Sequence, residues 1–142
     1  MFRYLAIAAA TTLTAPVLAD GHASGDPAAG EKAFRQCISC HVVMNEAGEA
    51  LAGKRAKTGP NLYDIPGRTV GTVEDFRYSD ILVLAGEQGI VWDEATFVAY
   101  VQDPTGYMRE ATGDGGRGKM TFKVRKEADA ANLYAYLVSL SE

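Results

Sequence analysis

The chain has 142 residues, 47% of them apolar and 23% charged, with two cysteines and a formal net charge of −4. That length suits one domain, and the apolar fraction is too high for a disordered chain. Two cysteines exclude a disulfide-rich scaffold and a four-thiolate zinc site, and the negative balance argues against nucleic acid as a partner.

Arg3 precedes an uncharged, mostly apolar run from Leu5 to Leu18 and the small-residue pattern Val17-Leu18-Ala19. These are the parts of a secretory signal, with cleavage expected after Ala19 and a weaker alternative after Ala23. The run falls short of the roughly 20 residues that span a bilayer, and Pro16 breaks its far end. Residues 1–19 are therefore read as a cleaved signal peptide and 20–142 as one domain, exported and without stable membrane insertion. Residues 20–25 read as a flexible lead. Asp26-Pro27, a favoured N-cap and first helical residue, predicts a helix from about Pro27 to Ser39. Glycines, Asn45 and Pro60 make 42–63 a long loop, and 64–72 is a second irregular stretch. A short helix is expected between Tyr78 and Ala85, ended by Gly86. Asp93 caps another, with Phe97, Val98, Tyr100 and Val101 on its apolar face, stopped at Asp103-Pro104. Four glycines put 112–119 in a loop. A last helix runs from near Lys126 to about Leu140, with Ala130, Leu133, Tyr134, Leu137 and Leu140 on one stripe. No strand signal stands out. The chain reads as all-α, three or four helices tied by long loops, and such loops usually wrap something.

Chemistry concentrates in Cys37-Ile38-Ser39-Cys40-His41. This is the attachment pattern of a c-type haem. Residues three apart on a helical turn share a face, so both thiols can reach the vinyl groups of one porphyrin, and His41 can turn its imidazole to the iron. Three rivals exist. A dithiol oxidoreductase would open a helix after a strand, whereas this pair closes a helix. A zinc site lacks further ligands, since the only other histidine, His22, lies in the lead. A structural disulfide is the bland reading for an exported chain. The signal and the long loops agree with haem. Iron held by one histidine needs a sixth ligand or an open face, and methionine is the usual partner in electron-transfer proteins. Met44 is too near His41 in sequence to reach around the ring. Met108 and Met120 both fall in loops; the residues favour Met120, which Thr121-Phe122 can anchor, without excluding Met108.

From about Asp26 to Leu140 the chain resembles the class I cytochromes c, in particular the long-loop bacterial cytochromes c₂ related to mitochondrial cytochrome c. An ordered series carries the likeness: Gly30-Glu31-Lys32-Ala33-Phe34, the haem motif, Thr58-Gly59-Pro60-Asn61-Leu62, Gly67-Arg68-Thr69-Val70-Gly71, Phe76-Arg77-Tyr78-Ser79, Gly89-Ile90-Val91-Trp92, Tyr100-Val101-Gln102-Asp103-Pro104, Lys119-Met120-Thr121-Phe122 and Leu133-Tyr134-Ala135-Tyr136-Leu137. The resemblance implies the cytochrome c fold around one haem c bound through Cys37 and Cys40. It implies His41 and Met120 as iron ligands, with the Pro60 carbonyl region orienting His41. Arg68, Tyr78 and Trp92 would lie near the haem propionates, and Tyr100 by the methionine sulfur. Gly30, Phe34 and Tyr134 or Tyr136 would join the first and last helices.

Two features depart from the mitochondrial pattern: longer stretches before Pro60 and before Met120, and a negative rather than basic balance. A local basic patch remains in Lys54, Arg55, Lys57, Arg117, Lys119, Lys123, Arg125 and Lys126. The resulting reading is a monomeric periplasmic one-electron carrier, not an enzyme. Its partners would be the cytochrome bc₁ complex and a photosynthetic reaction centre, terminal oxidase or denitrification reductase. The alternative is a haem enzyme or small-ligand-binding cytochrome with an open distal site.

Overall fold

The computed structural model describes residues 23–141. The predicted signal segment and His22 lie outside the described residues. Five helices appear among those described: α1 Pro27–Phe34, α2 Asp80–Glu87, α3 Glu94–Gln102, α4 Pro104–Thr112 and α5 Glu127–Ser139. None is long and apolar enough to cross a membrane.

Asp26 caps α1 by accepting from the Ala28 amide at 2.9 Å, with Pro27 as the first helical residue. The helix stops at Phe34, five residues before the expected end at Ser39. Beyond it the chain tightens into turns: the Cys37 amide bonds the Phe34 carbonyl, and the Cys40 and His41 amides both bond the Cys37 carbonyl. Three-residue turns of this kind commonly finish a helix.

Residues 42–63 were expected to be loop throughout. They contain a small antiparallel hairpin, β1 Val43–Met44 and β2 Ala50–Ala52. Asn61 completes it: its side chain accepts from the Met44 amide at 2.9 Å and donates to the Met44 carbonyl at 2.8 Å. Gly67–Val70 runs beside Ile90–Trp92 through three backbone bonds and the Thr69–Val91 bridge. Helix α2 continues through Gly86, the expected stop, and the chain turns at Gly89 with φ +79°.

Asp93 caps α3 through the Thr96 amide at 2.8 Å, as expected. Asp103 ends α3, but Pro104 immediately opens α4, which the sequence reading missed. Gly113, in the left-handed conformation, closes α4.

Helices α1 and α5 cross in close contact. A Cβ built on Gly30 would lie 2.6 Å from the Asn132 carbonyl carbon and 2.7 Å from Tyr136 Cβ, closer still to the carbonyl oxygen. Phe34 and Tyr136 meet there with centroids 5.7 Å apart. Tyr136 is thus the partner of α1. Tyr134 instead faces Phe97 and donates its hydroxyl to the Trp92 carbonyl at 3.2 Å. The described part of the lead is also tied down. The Ser24 amide lies 3.0 and 3.2 Å from the two Glu94 carboxylate oxygens, and the Asp26 amide donates to Asn132 at 2.8 Å.

Candidate functional site

The helices and loops line a largely apolar cavity of about 270 Å³. Several chain segments converge on it. The turns after α1 bring Cys37, Cys40 and His41; the next loop brings Gly59 and Pro60. Tyr78, Ser79, Trp92 and Tyr100 come from the middle of the chain, and Lys119 to Phe122 from the segment after α4. Leu82, Leu133 and Leu137 give it an apolar wall.

His41 is mostly buried. Its Nδ1 lies 2.9 Å from the Pro60 carbonyl oxygen, which can only accept, so Nδ1 carries the proton. Nε2 then keeps its lone pair for a metal. Burial pushes the imidazole pKa down, and the Pro60 bond opposes this only in part. The ring is therefore neutral and ligand-competent at neutral pH. The Gly59 amide bonds the Cys40 carbonyl at 2.7 Å, and a Cβ on Gly59 would stand 2.6 and 2.7 Å from the two ring nitrogens. The imidazole is packed flat against a residue that has no side chain.

Cys37 and Cys40 are not bonded to each other. Burial, and secondarily Cys40, pushes the Cys37 thiol up to about 11. A catalytic dithiol needs a lowered pKa, so this environment opposes the oxidoreductase reading. Among the described residues no group of three or more His, Cys, Asp or Glu could hold a metal ion.

The structure separates the two candidate methionines. Met120 lines the cavity with His41. Met108, on α4, is fully buried in the core, and it does not line the cavity. Tyr100 and Trp92 pack edge to face with centroids 4.8 Å apart. Burial raises the pKa of Tyr100, with the nearby Tyr78 adding to it, and burial also raises that of Tyr78. Both phenols are uncharged donors at neutral pH. Arg68 does not line the cavity; its charge acts at one remove, on the Tyr78 phenol.

The sequence reading gives one cavity residue, Ser79, no role, although it closes the segment Phe76-Arg77-Tyr78-Ser79. Ser79 stands at the N-cap of α2 yet makes no capping bond. Its buried hydroxyl has no hydrogen-bond partner among the described residues, and Ser79 lines the cavity. An unpaired buried hydroxyl is costly, so this group is arranged for something that fills the space. Phe76, Phe122 and Lys119 also line the cavity. Lys119 donates to the Arg77 carbonyl, with its ammonium 5.7 Å from the Phe76 centroid. All eight predicted basic residues are exposed, but only Lys119 borders the cavity. Lys123, Arg125 and Lys126 line an adjoining open groove with Phe122.

No family model matches the chain. Individual proteins do. Cytochrome c2 of Rhodovulum adriaticum is 64% identical over 118 residues, covering 82% of this chain and 94% of that protein. Cytochrome c2 of Cereibacter sphaeroides is 52% identical over 139 residues, covering 96% and 94%. The chain belongs to the cytochrome c2 family. The crystal structure of cytochrome c2 from Rhodobacter sphaeroides superposes with a TM-score of 0.80 at 55% identity, covering 82% of this chain and 96% of that one. The expected all-α cytochrome c fold is therefore the observed one, and the two short strands do not change its class.

Membership of the cytochrome c2 family makes the chain an electron carrier with covalent haem c, and it does not favour the open-site haem enzyme. The cavity suits that group. Two thiols three residues apart, a neutral imidazole with a free Nε2, a thioether and an orphaned hydroxyl all face one apolar space.

Proposed function

We propose that this member of the cytochrome c2 family is a periplasmic carrier whose iron ligands are His41 and Met120. Cys37 and Cys40 would form the two thioether bonds. The observation that supports this best is that the imidazole and the Met120 side chain border the same cavity as both cysteines, with Nδ1 already committed to the Pro60 carbonyl.

Bound haem c supplies one-electron chemistry, and the chain's residues set its terms. Pro60 fixes the imidazole's tautomer and plane. With haem bound, a thioether from Met120 as the second iron ligand would favour ferrous iron and raise the potential. Leu82, Leu133 and Leu137, which line the cavity, would keep water from the ring and penalise the extra charge of the ferric state. Tyr78, Ser79 and Trp92, which line the cavity, would supply donors to the haem carboxylates, with Arg68 acting through Tyr78. Buried carboxylates without such donors would be costly. Tyr100 would sit by the methionine sulfur.

Residues 1–19 would be the signal peptide, removed on export, and residues 20–142 one monomeric domain. The carrier would turn over no substrate. It would exchange electrons in brief, small-area encounters with redox proteins such as the cytochrome bc₁ complex, a reaction centre, a terminal oxidase or a denitrification reductase. Optical spectra of the exported protein in both oxidation states test the ligation. The expected result is low-spin covalent haem with a ferric absorption from sulfur ligation. That absorption should vanish in Met120→Ala, with rapid cyanide binding, and persist in Met108→Leu. A colourless exported protein, or sulfur ligation that survives Met120→Ala, overturns the assignment.

A further inference from the structure

The segment that carries Met120 is held mainly by side-chain tethers, one of them from Lys119 to the Arg77 carbonyl. Among the described residues, residues 117–125 make one backbone–backbone hydrogen bond, from the Val124 amide to the Val101 carbonyl at 2.8 Å. The Gly118 amide adds a bond to the Thr105 hydroxyl at 3.2 Å. Lys123 adds an ion pair to Asp103 at 2.7 Å. Val101, Asp103 and Thr105 all belong to the corner where α3 gives way to α4. That corner is tightly built: Pro104 is buried, and the Asp103 carboxylate lies over Gly106 where a Cβ would collide with it. Lys123 and Asp103 are both more than half exposed. Lys123 nevertheless holds the Asp103 carboxyl below its ordinary range.

We propose that Asp103 is a positioning residue for Met120. Its ion pair with Lys123, beside the Val124–Val101 bond, pins the chain three and four residues past Met120 to the α3–α4 corner. It thereby limits how often the thioether leaves the iron. This rests on Met120 being the distal ligand. The physical reason is local: with a single backbone bond over nine residues, each side-chain tether is a large share of what resists opening.

Imidazole uptake by the ferric, haem-loaded protein reads that opening, because the incoming ligand enters only when the sulfur is off. Asp103→Asn is expected to raise the limiting uptake rate roughly two- to fivefold at low salt, the range of one exposed ion pair. The resting sulfur–iron absorption should stay in place. Lys123→Gln should act by the same factor, and the double variant no further. Salt near 1 M should bring the parent up to the rate of Asp103→Asn. A parent-like rate in Asp103→Asn, or additive effects of the two variants, overturns the proposal. If the parent itself lacks sulfur-bound iron, the ligand assignment fails first and this proposal with it.

Discussion

Replacing Gly30 by alanine sets two effects against each other. Inside a helix alanine is favoured over glycine by about 1 kcal/mol, so propensity alone predicts stabilisation. The crossing of α1 over α5 predicts the opposite. The added Cβ would sit 2.6 Å from the Asn132 carbonyl carbon and 2.7 Å from Tyr136 Cβ, where ordinary contact begins near 3.4 Å. Backbone cannot swing aside, so the helices must part by most of an ångström or more. Parting loosens the contact of Phe34, only 3% exposed, with Tyr136. Overpacking of this kind costs about 1–3 kcal/mol and occasionally more. A backbone collision belongs at the upper end, which leaves a net loss of about 2 kcal/mol after the propensity gain. For a domain of this size that lowers Tm by about 6–12 °C. Thermal and urea unfolding of the haem-loaded protein measure it. Gly115→Ala is the control, because nothing lies within 4 Å of a Cβ there; it should stay within about 1 kcal/mol of the parent. Gly30→Ala as stable as the parent would refute the collision.

Other substitutions test the cavity and its rim. Ser79→Ala removes a hydroxyl with no protein partner; it should stabilise or leave unchanged a protein whose cavity offers nothing to bond. If Ser79 donates to a haem carboxylate, the urea midpoint of the loaded protein should instead fall by the equivalent of about 1–2 kcal/mol. Tyr100 has a pKa above its unfolded value of about 10. Above pH 10 the unfolded chain loses this proton first, so stability falls as pH rises. Tyr100→Phe should flatten that alkaline limb in unfolding measured from pH 8 to 11, and an unchanged slope would exclude Tyr100 as its source. Lys119→Glu should slow electron transfer with an acidic redox partner severalfold at low ionic strength and converge with the parent at high salt. Lys123 is a poorer probe of steering, because Asp103 already offsets its charge.

The parts of the fold legible in the sequence were those with local signals. Asp26-Pro27 and Asp93 cap α1 and α3 as their residue types dictate, and the apolar stripe of α5 spans nearly its predicted length. The hairpin was invisible because strands of two and three residues, rich in alanine, have no pattern to read; Asn61, seventeen residues from Met44, completes the pairing. Helix α4 was lost for a different reason. Asp103-Pro104 was read as a stop, which it is for α3, but proline is equally at home as a first helical residue. That omission had a consequence at the site. Treated as loop, Met108 stayed a candidate ligand. On α4 it sits four residues past Pro104, on the buried face, fully enclosed by core.

The two proposed axial ligands are supported very unequally. His41 follows Cys40 directly, is fixed by the Pro60 carbonyl, and is backed by Gly59, whose amide bonds Cys40. The proximal motif announces itself because Cys37, Cys40 and His41 are contiguous, although Gly59 and Pro60, which hold the imidazole, come from nineteen residues further on. Met120 instead hangs from the α3–α4 corner and, through Lys119, from the Arg77 carbonyl, contacts that span 13 to 42 residues of sequence. Long-range contacts of this kind leave no mark in a local pattern, and they are also weaker than burial. Any stress on the loaded protein, whether heat, alkali or a lost surface charge, should therefore free the thioether before the imidazole.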